Sequence, residues 1–294
     1  MNNTKKKSPI SWVPTAYFAM GLPFVVLNMV TVLMFKGLEV DDKLITFWTS
    51  LILLPWTLKP LWSPFLELFR TKKFFVIVTQ LITGVTFGLV AFALNLSHFF
   101  SISIALLAIV AFSGATHDIA CDGVYMSELS NEDQAKFIGW QGAFYNIAKI
   151  LATGGLVYLA GYFIELNADA GLLTANKRAW MIILLILSVT MILLGIYHLF
   201  ALPSTQSASS KKTLRSNKEV MKELGQVLMD FFRKTHITYY ICFIILYRFA
   251  EGFVMKIVPL FLKADRDMGG LGLNEKEIGL YYGTYGAAAF VLGS

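Results

Sequence analysis

The sequence predicts an all-α membrane protein, a bundle of spanning helices, and three observations carry that prediction. Apolar residues make up 56% of the chain and charged residues 15%, where a soluble globular chain holds about 25% charged. The apolar residues gather into eight runs, each near the roughly 20 residues that a spanning helix needs. With 24 Phe, 12 Tyr and 6 Trp in 294 residues, there is more apolar surface than one soluble core can absorb, so the excess faces lipid.

The runs follow in order. Residues 12–35 come after Lys5, Lys6 and Lys7. That run is too long for a signal-peptide core and no small-residue cleavage site follows it, so it reads as a retained first helix. The next runs are 44–62, punctuated by Pro55 and Pro60, then 74–96, 99–127, 137–164 and 179–202. A polar, basic stretch at 203–236 separates them from runs at 237–262 and 275 to the end. Inside that stretch Met221, Leu224, Leu228 and Phe231 recur at helical spacing among Lys218, Lys222, Arg233 and Lys234. This is the pattern of an amphipathic helix on a membrane surface, or of an ordinary linker helix. Before the eighth run, Asn274 and Glu277 stand at capping-box spacing. Six helices, a linker and further helices suggest a carrier built from two halves.

The net charge of +6 reflects topology rather than a nucleic-acid partner, because the basic residues lie between runs. Fourteen of them fall on one side: the N-terminal three, Arg70, Lys72, Lys73, Lys136 and seven in 203–236. Seven fall on the other: Lys36, Lys43, Lys177, Arg178, Lys263, Arg266 and Lys276. The richer side is expected to be cytoplasmic, the N-terminus included. Cys121 and Cys242 lie in apolar surroundings and imply no disulfide framework. The eighth run is still apolar at Ser294, as in a piece of a longer protein. A faint echo of the segment before helix two (Asp41, Asp42, Lys43) recurs before helix eight (Asn274, Glu275, Lys276), as if a duplicated half restarts there.

Charges inside spanning segments are expensive, so each is a functional hypothesis. Asp118 and Asp122 are four apart and share a helix face. Two close carboxylates in a low dielectric do not both ionise cheaply, which suits a proton-coupled carrier. Helix five offers Gln141, Tyr145, Asn146 and Lys149, and helix seven Arg248, Glu251 and Lys256. At 1.5 Å per residue Asp118, Lys149 and Arg248 all fall about 15–18 Å deep, near the middle of a core about 30 Å thick. We therefore expect Asp118, Asp122 and Glu251 to handle protons. Lys149, Arg248, Gln141, Tyr145, Asn146 and His117 are expected to contact solute, and Asp118 to approach Lys149 across neighbouring helices four and five. Lys59, Glu67 and Arg70, near the basic side, are gating candidates, and Lys59 is expected to snorkel towards the interface. A metal site on His117, Asp118, Cys121 and Asp122 lacks a second cluster to complete it. The Walker A pattern of an ATP-driven pump is missing.

Several stretches resemble a known family. Gly21-Leu22-Pro23, the run Leu54-Pro55-Trp56-Thr57-Leu58-Lys59-Pro60-Leu61-Trp62-Ser63-Pro64 and the run Ala115-Thr116-His117-Asp118-Ile119-Ala120-Cys121-Asp122 are similar to AmpG-type permeases of the major facilitator superfamily. That family also includes acetyl-CoA transporters. Tyr247-Arg248 with Glu251, Pro259, and Glu277-Ile278-Gly279 add weaker matches. The resemblance implies a bundle of twelve or more helices in two halves, and proton-driven import of anhydro-muropeptides. It puts Asp118, Asp122, Lys59, Arg248 and Glu251 at the family's polar positions. His117 stands where a glutamine is usual and Glu67 where an aspartate is; Arg248 and Glu251 replace a lysine and an aspartate.

The expectation is thus a major facilitator-type helical bundle: a six-helix half (1–202), a cytoplasmic linker (203–236) and helices seven and eight of a second half (237–294). Its function would be proton-coupled import of cell-wall-derived muropeptides or amino sugars across the inner membrane by a monomer, without a cofactor. A CoA ester or simple sugar is the alternative cargo, and a membrane-embedded enzyme the alternative class.

Overall fold

The computed structural model describes residues 7–63, 66, 71–203, 222, 225–226, 229–230, 232–286 and 288–289; at 244–245 and 248–252 it describes the backbone alone. Among the described residues, six helices are long and apolar enough to cross a membrane: α1 (Pro9–Gly37), α2 (Asp42–Leu61), α3 (Lys72–Ala93), α4 (Phe99–Glu128), α5 (Asn131–Leu166) and α6 (Leu172–Ala201). They are followed by α7 (Ile237–Lys263) and by α8, which begins at Glu275–Ile278 and continues through Gly279–Tyr285. The linker residues Met221, Leu224, Leu228 and Phe231 lie outside the described residues.

Helix starts follow from local chemistry. Asp41 accepts hydrogen bonds from the backbone N–H groups of Lys43 and Leu44 at the head of α2. Thr71 caps α3 through Phe74 N–H, and Ser130 caps α5 through Asp133 N–H. At α8 the Asn274 side chain accepts from Glu277 N–H while Glu277 accepts from Asn274 N–H, both at 2.9 Å. This is the reciprocal box its spacing predicts. Helices α5 and α6 start earlier than their apolar runs, at Asn131 and Leu172: at α5 the Ser130 cap and a polar first turn extend the helix beyond the hydrophobic stretch, while α6 starts after Gly171 without a side-chain cap.

The bundle is arranged around α1. Of its most apolar window 89% is buried, against 17% for α2. Helix α5 runs along α1, and α3 is sandwiched between α4 and α6. Small residues set these contacts. A Cβ at Gly84 of α3 would come within 2.7 Å of Ile192 and 2.9 Å of the Ser188 carbonyl on α6. Close backbone approach of this kind is how helices pack without a hydrophobic driving force. The expectation that α4 and α5 are principal neighbours is not met: α5 packs chiefly on α1, whose Gly21 lies against Tyr145.

Helix α2 is not continuous. It runs as Asp42–Leu51, then Leu54–Leu58, then a 3-10 turn at Lys59–Leu61. Pro55 and Pro60 lack an N–H and block the regular ladder. Among the described residues, three helices also contain widened π-helical turns: Val26–Val30 in α1, Leu151–Leu156 in α5 and Gly279–Tyr285 in α8.

Candidate functional site

The broken end of α2 carries Trp56 and Lys59 onto α4. Lys59 Nζ lies 2.7 Å from Asp118 Oδ2, and Trp56 Nε1 donates to the same oxygen at 2.9 Å. Asp118 is buried, at 7% exposure, while the Lys59 side chain keeps 28%. Trp56 is fixed by packing: its ring meets Phe24 edge-on at 5.2 Å, and Gly114 of α4 leaves the space it occupies. A side chain at 114 would come within 2.9 Å of the indole. The second carboxylate oxygen, Oδ1, is buried without a hydrogen-bond partner among the described residues.

One turn along, Asp122 Oδ1 accepts a 2.8 Å hydrogen bond from Tyr17 of α1. Tyr17 is held by the edge of Tyr125, which also packs against Trp12. The two carboxylates on one face of α4 are therefore gripped by different helices, Asp118 by α2 and Asp122 by α1. A proton or a solute that changes the charge at either position acts on the packing between helices as well as on the carboxylate.

His117 faces elsewhere. It is buried between α3 and α4, with Nε2 2.9 Å from Gln80 Nε2. Gln80 Oε1 meets His198 Nδ1 at 2.8 Å, and His198 Nε2 meets Thr15 Oγ1 at 2.9 Å. This polar chain ties α1, α3, α4 and α6 together. An amide donates from one end and accepts at the other, so Gln80 gives the two histidines complementary hydrogen-bonding roles.

The remaining expected site residues divide. Gln141, Tyr145, Asn146 and Lys149 are half-buried on α5, which lies along α1. Asp118 takes its ion pair from Lys59 rather than from Lys149, because the break in α2 brings Lys59 inward; the same geometry corrects the expectation that Lys59 snorkels to the interface. Glu67 and Arg70 lie outside the described residues, as do the side chains of Arg248 and Glu251. Residue-by-residue reading missed Trp56, Tyr17, Gln80 and His198. Each is a polar group inside an apolar run, so the rule that flagged Asp118 would have flagged them if applied to uncharged groups. Two cavities, of about 270 Å³ and 550 Å³, flank α4; Asp118 lines neither. The larger is apolar and lies between α2 and α4, lined by Trp48, Pro55 and Phe100 among others.

Comparison with known proteins adds the family. A sequence profile described as Major Facilitator Superfamily matches residues 15–294. The fold is similar to a crystal structure of a bacterial homolog to the human lysosomal transporter Spinster, in an inward-facing and unoccupied conformation. The TM-score is 0.68 at 13% sequence identity, covering 99% of this chain and 62% of that one. At that identity the likeness concerns the fold alone, and the chain spans 62% of the length of the structure it matches. No curated protein matches the sequence significantly.

Proposed function

Because the chain belongs to the Major Facilitator Superfamily, we propose that it works in a secondary transporter that couples a proton to the import of a solute. The observation that carries this reading is the buried Lys59–Asp118 pair in a spanning bundle. A charge at that depth is retained for a purpose, such as a proton or solute path. Asp118 Oδ2 is occupied by two donors, and Oδ1 is open to a proton. Protonation there removes the negative charge and frees the Lys59 ammonium to meet an anionic group on the solute. Deprotonation restores the pair. Asp122 with Tyr17 is the neighbouring acid, and Glu251 is the acid proposed for the second half.

The cargo we propose is a cell-wall-derived anhydro-muropeptide or amino sugar. Its peptide carboxylates suit Lys59, Lys149 and Arg248. Its sugar rings suit half-exposed aromatics such as Trp140, which stacks on Phe144 at 5.9 Å. A CoA ester would use the same cations through its phosphates. We place the protein in the inner membrane as a monomer, with its N-terminus and residues 203–236 in the cytoplasm. Residues 1–202 and 237–294 are proposed as a six-helix half and the start of a second. Uptake of labelled anhydro-muropeptide into vesicles carrying the full-length protein tests the reading. Accumulation that needs an imposed proton gradient supports it. Uptake indifferent to the gradient, or confined to CoA esters, redirects it.

A further inference from the structure

The three π-helical turns meet at one place. The turn in α5 packs against the turn in α8 and also touches the turn in α1, against which α7 lies. The α5–α8 contact is backbone on backbone: a Cβ at Gly279 or Gly283 would run into Tyr158, Thr153 and Gly154. Beside this seam Lys276 pairs with Glu165 at 2.9 Å, and Lys263 pairs with Glu275. The seam therefore joins α1 and α5 to α7 and α8, away from the ends of α1 and α7 at Pro9 and Ile237.

Lys256 of α7 enters the seam. It is buried at 5% exposure, and no acid pairs with it among the described residues. Its ammonium instead donates to backbone: to the Asn28 carbonyl at 3.1 Å and the Leu27 carbonyl at 3.5 Å. Both belong to the widened turn of α1. A π-turn shifts the regular bonding of carbonyls and is frequent at functional sites. Pro23, one turn earlier, has already loosened the ladder of α1. Thr31 Oγ1 donates to the same Leu27 carbonyl at 3.0 Å, and Asn28 Nδ2 donates back to Phe24 at 3.0 Å. Oriented carbonyl dipoles are a known way to hold a cation where no carboxylate is near.

We propose that the Leu27 and Asn28 carbonyls form a cation site on α1, which Lys256 fills from α7, and that this contact latches the seam shut. Opening the seam would draw the ammonium out and leave two carbonyls facing the gap, able to take a small alkylammonium group in its place. Unlike the Asp118 site, the latch needs no bound solute, so it can be measured on the protein at rest.

The test uses purified full-length protein with Cys121 and Cys242 replaced by serine and Thr153→Cys as reporter. Thr153 is buried and its carbonyl faces Gly283 across the seam. Labelling by a bulky maleimide then reports opening. Lys256→Met keeps the volume and removes the charge. We expect labelling faster by on the order of tenfold, the scale of one lost charge-assisted hydrogen bond. Propylammonium should slow the labelling of Lys256→Ala and leave the parent unchanged. Gly283→Val, which wedges the seam directly, is the positive control for the reporter. The proposal is overturned if Gly283→Val labels faster while Lys256→Met labels at the parent rate. It is also overturned if propylammonium leaves Lys256→Ala unchanged while Lys256→Arg labels as fast as Lys256→Met. Labelling of Lys256→Met at the parent rate overturns the latch whatever that variant's uptake, whereas absence of gradient-driven uptake in the parent counts against the carrier reading alone.

Discussion

Lys59 Nζ and Asp118 Oδ2 stand 2.7 Å apart between α2 and α4, with Trp56 donating to the same oxygen. The pair closes a loop of logic in the sequence: two prolines break α2, the break turns Lys59 inward, and Gly114 makes room for the indole that steadies the acid.

Removing one partner should cost more than removing both. Breaking a buried pair leaves an uncompensated charge, worth roughly 3–5 kcal/mol at full burial. With 28% of Lys59 exposed, we expect on the order of 2 kcal/mol for Lys59→Met. Lys59→Met with Asp118→Leu should recover most of that loss in detergent thermal-unfolding measurements. A double variant as unstable as the sum of the singles would show that the two residues act independently.

Asp118→Asn fixes a neutral side chain of the same shape. In the full-length protein it should abolish gradient-driven accumulation and retain exchange of solute down its own gradient. A membrane potential supplies about 2.3 kcal/mol per charge per 100 mV, enough for tens-fold accumulation with one proton. Asp122→Asn should be milder, since Tyr17 holds that carboxylate and no cation pairs with it among the described residues. Normal accumulation by both variants under an imposed pH gradient would make the carboxylates structural and move attention to Glu251.

Gln80→Leu should destabilise the bundle by about 2–4 kcal/mol, because His117 and His198 each lose a buried partner. Gln80→Glu replaces the amide with a group that can only accept when ionised, and should change the pH dependence of thermal stability relative to the parent. Equal stability of Gln80→Leu and the parent would mean the chain contributes nothing to packing.

Topology has its own measurement. A cysteine at Ser207 should resist an impermeant reagent applied outside intact cells and label once the membrane is opened. Ready labelling from outside would invert the orientation drawn from the basic residues.

Much of the bundle was legible because its signals are local. The apolar runs and the Asn274–Glu277 box act within a few residues and were read; the Asp41, Thr71 and Ser130 caps are as local, but the sequence reading did not name them. What escaped was long-range. Nothing in residues 54–64 states that they reach Asp118, since that depends on how two prolines bend the chain. The pairing of α5 with α1 instead of α4 depends on Gly21 fitting Tyr145, a contact spanning more than a hundred positions. The π-helical turns were invisible for the same reason: a widened turn has no residue period of its own and persists only where neighbours stabilise it.

The central place of α1 also bears on how the protein is made. Of the six spanning helices among the described residues, α1 is made before the other five and is the most enclosed, 89% buried in its apolar window. While it waits in lipid, its own side chains can shield part of its backbone: Thr31 and Asn28 bond one turn back, to Leu27 and Phe24. The Asn28 carbonyl has to wait longer, because the ammonium that reaches it is synthesised 228 residues later. The contacts of α1 are thus completed later than the helix itself is made, and not before α7 has docked against it.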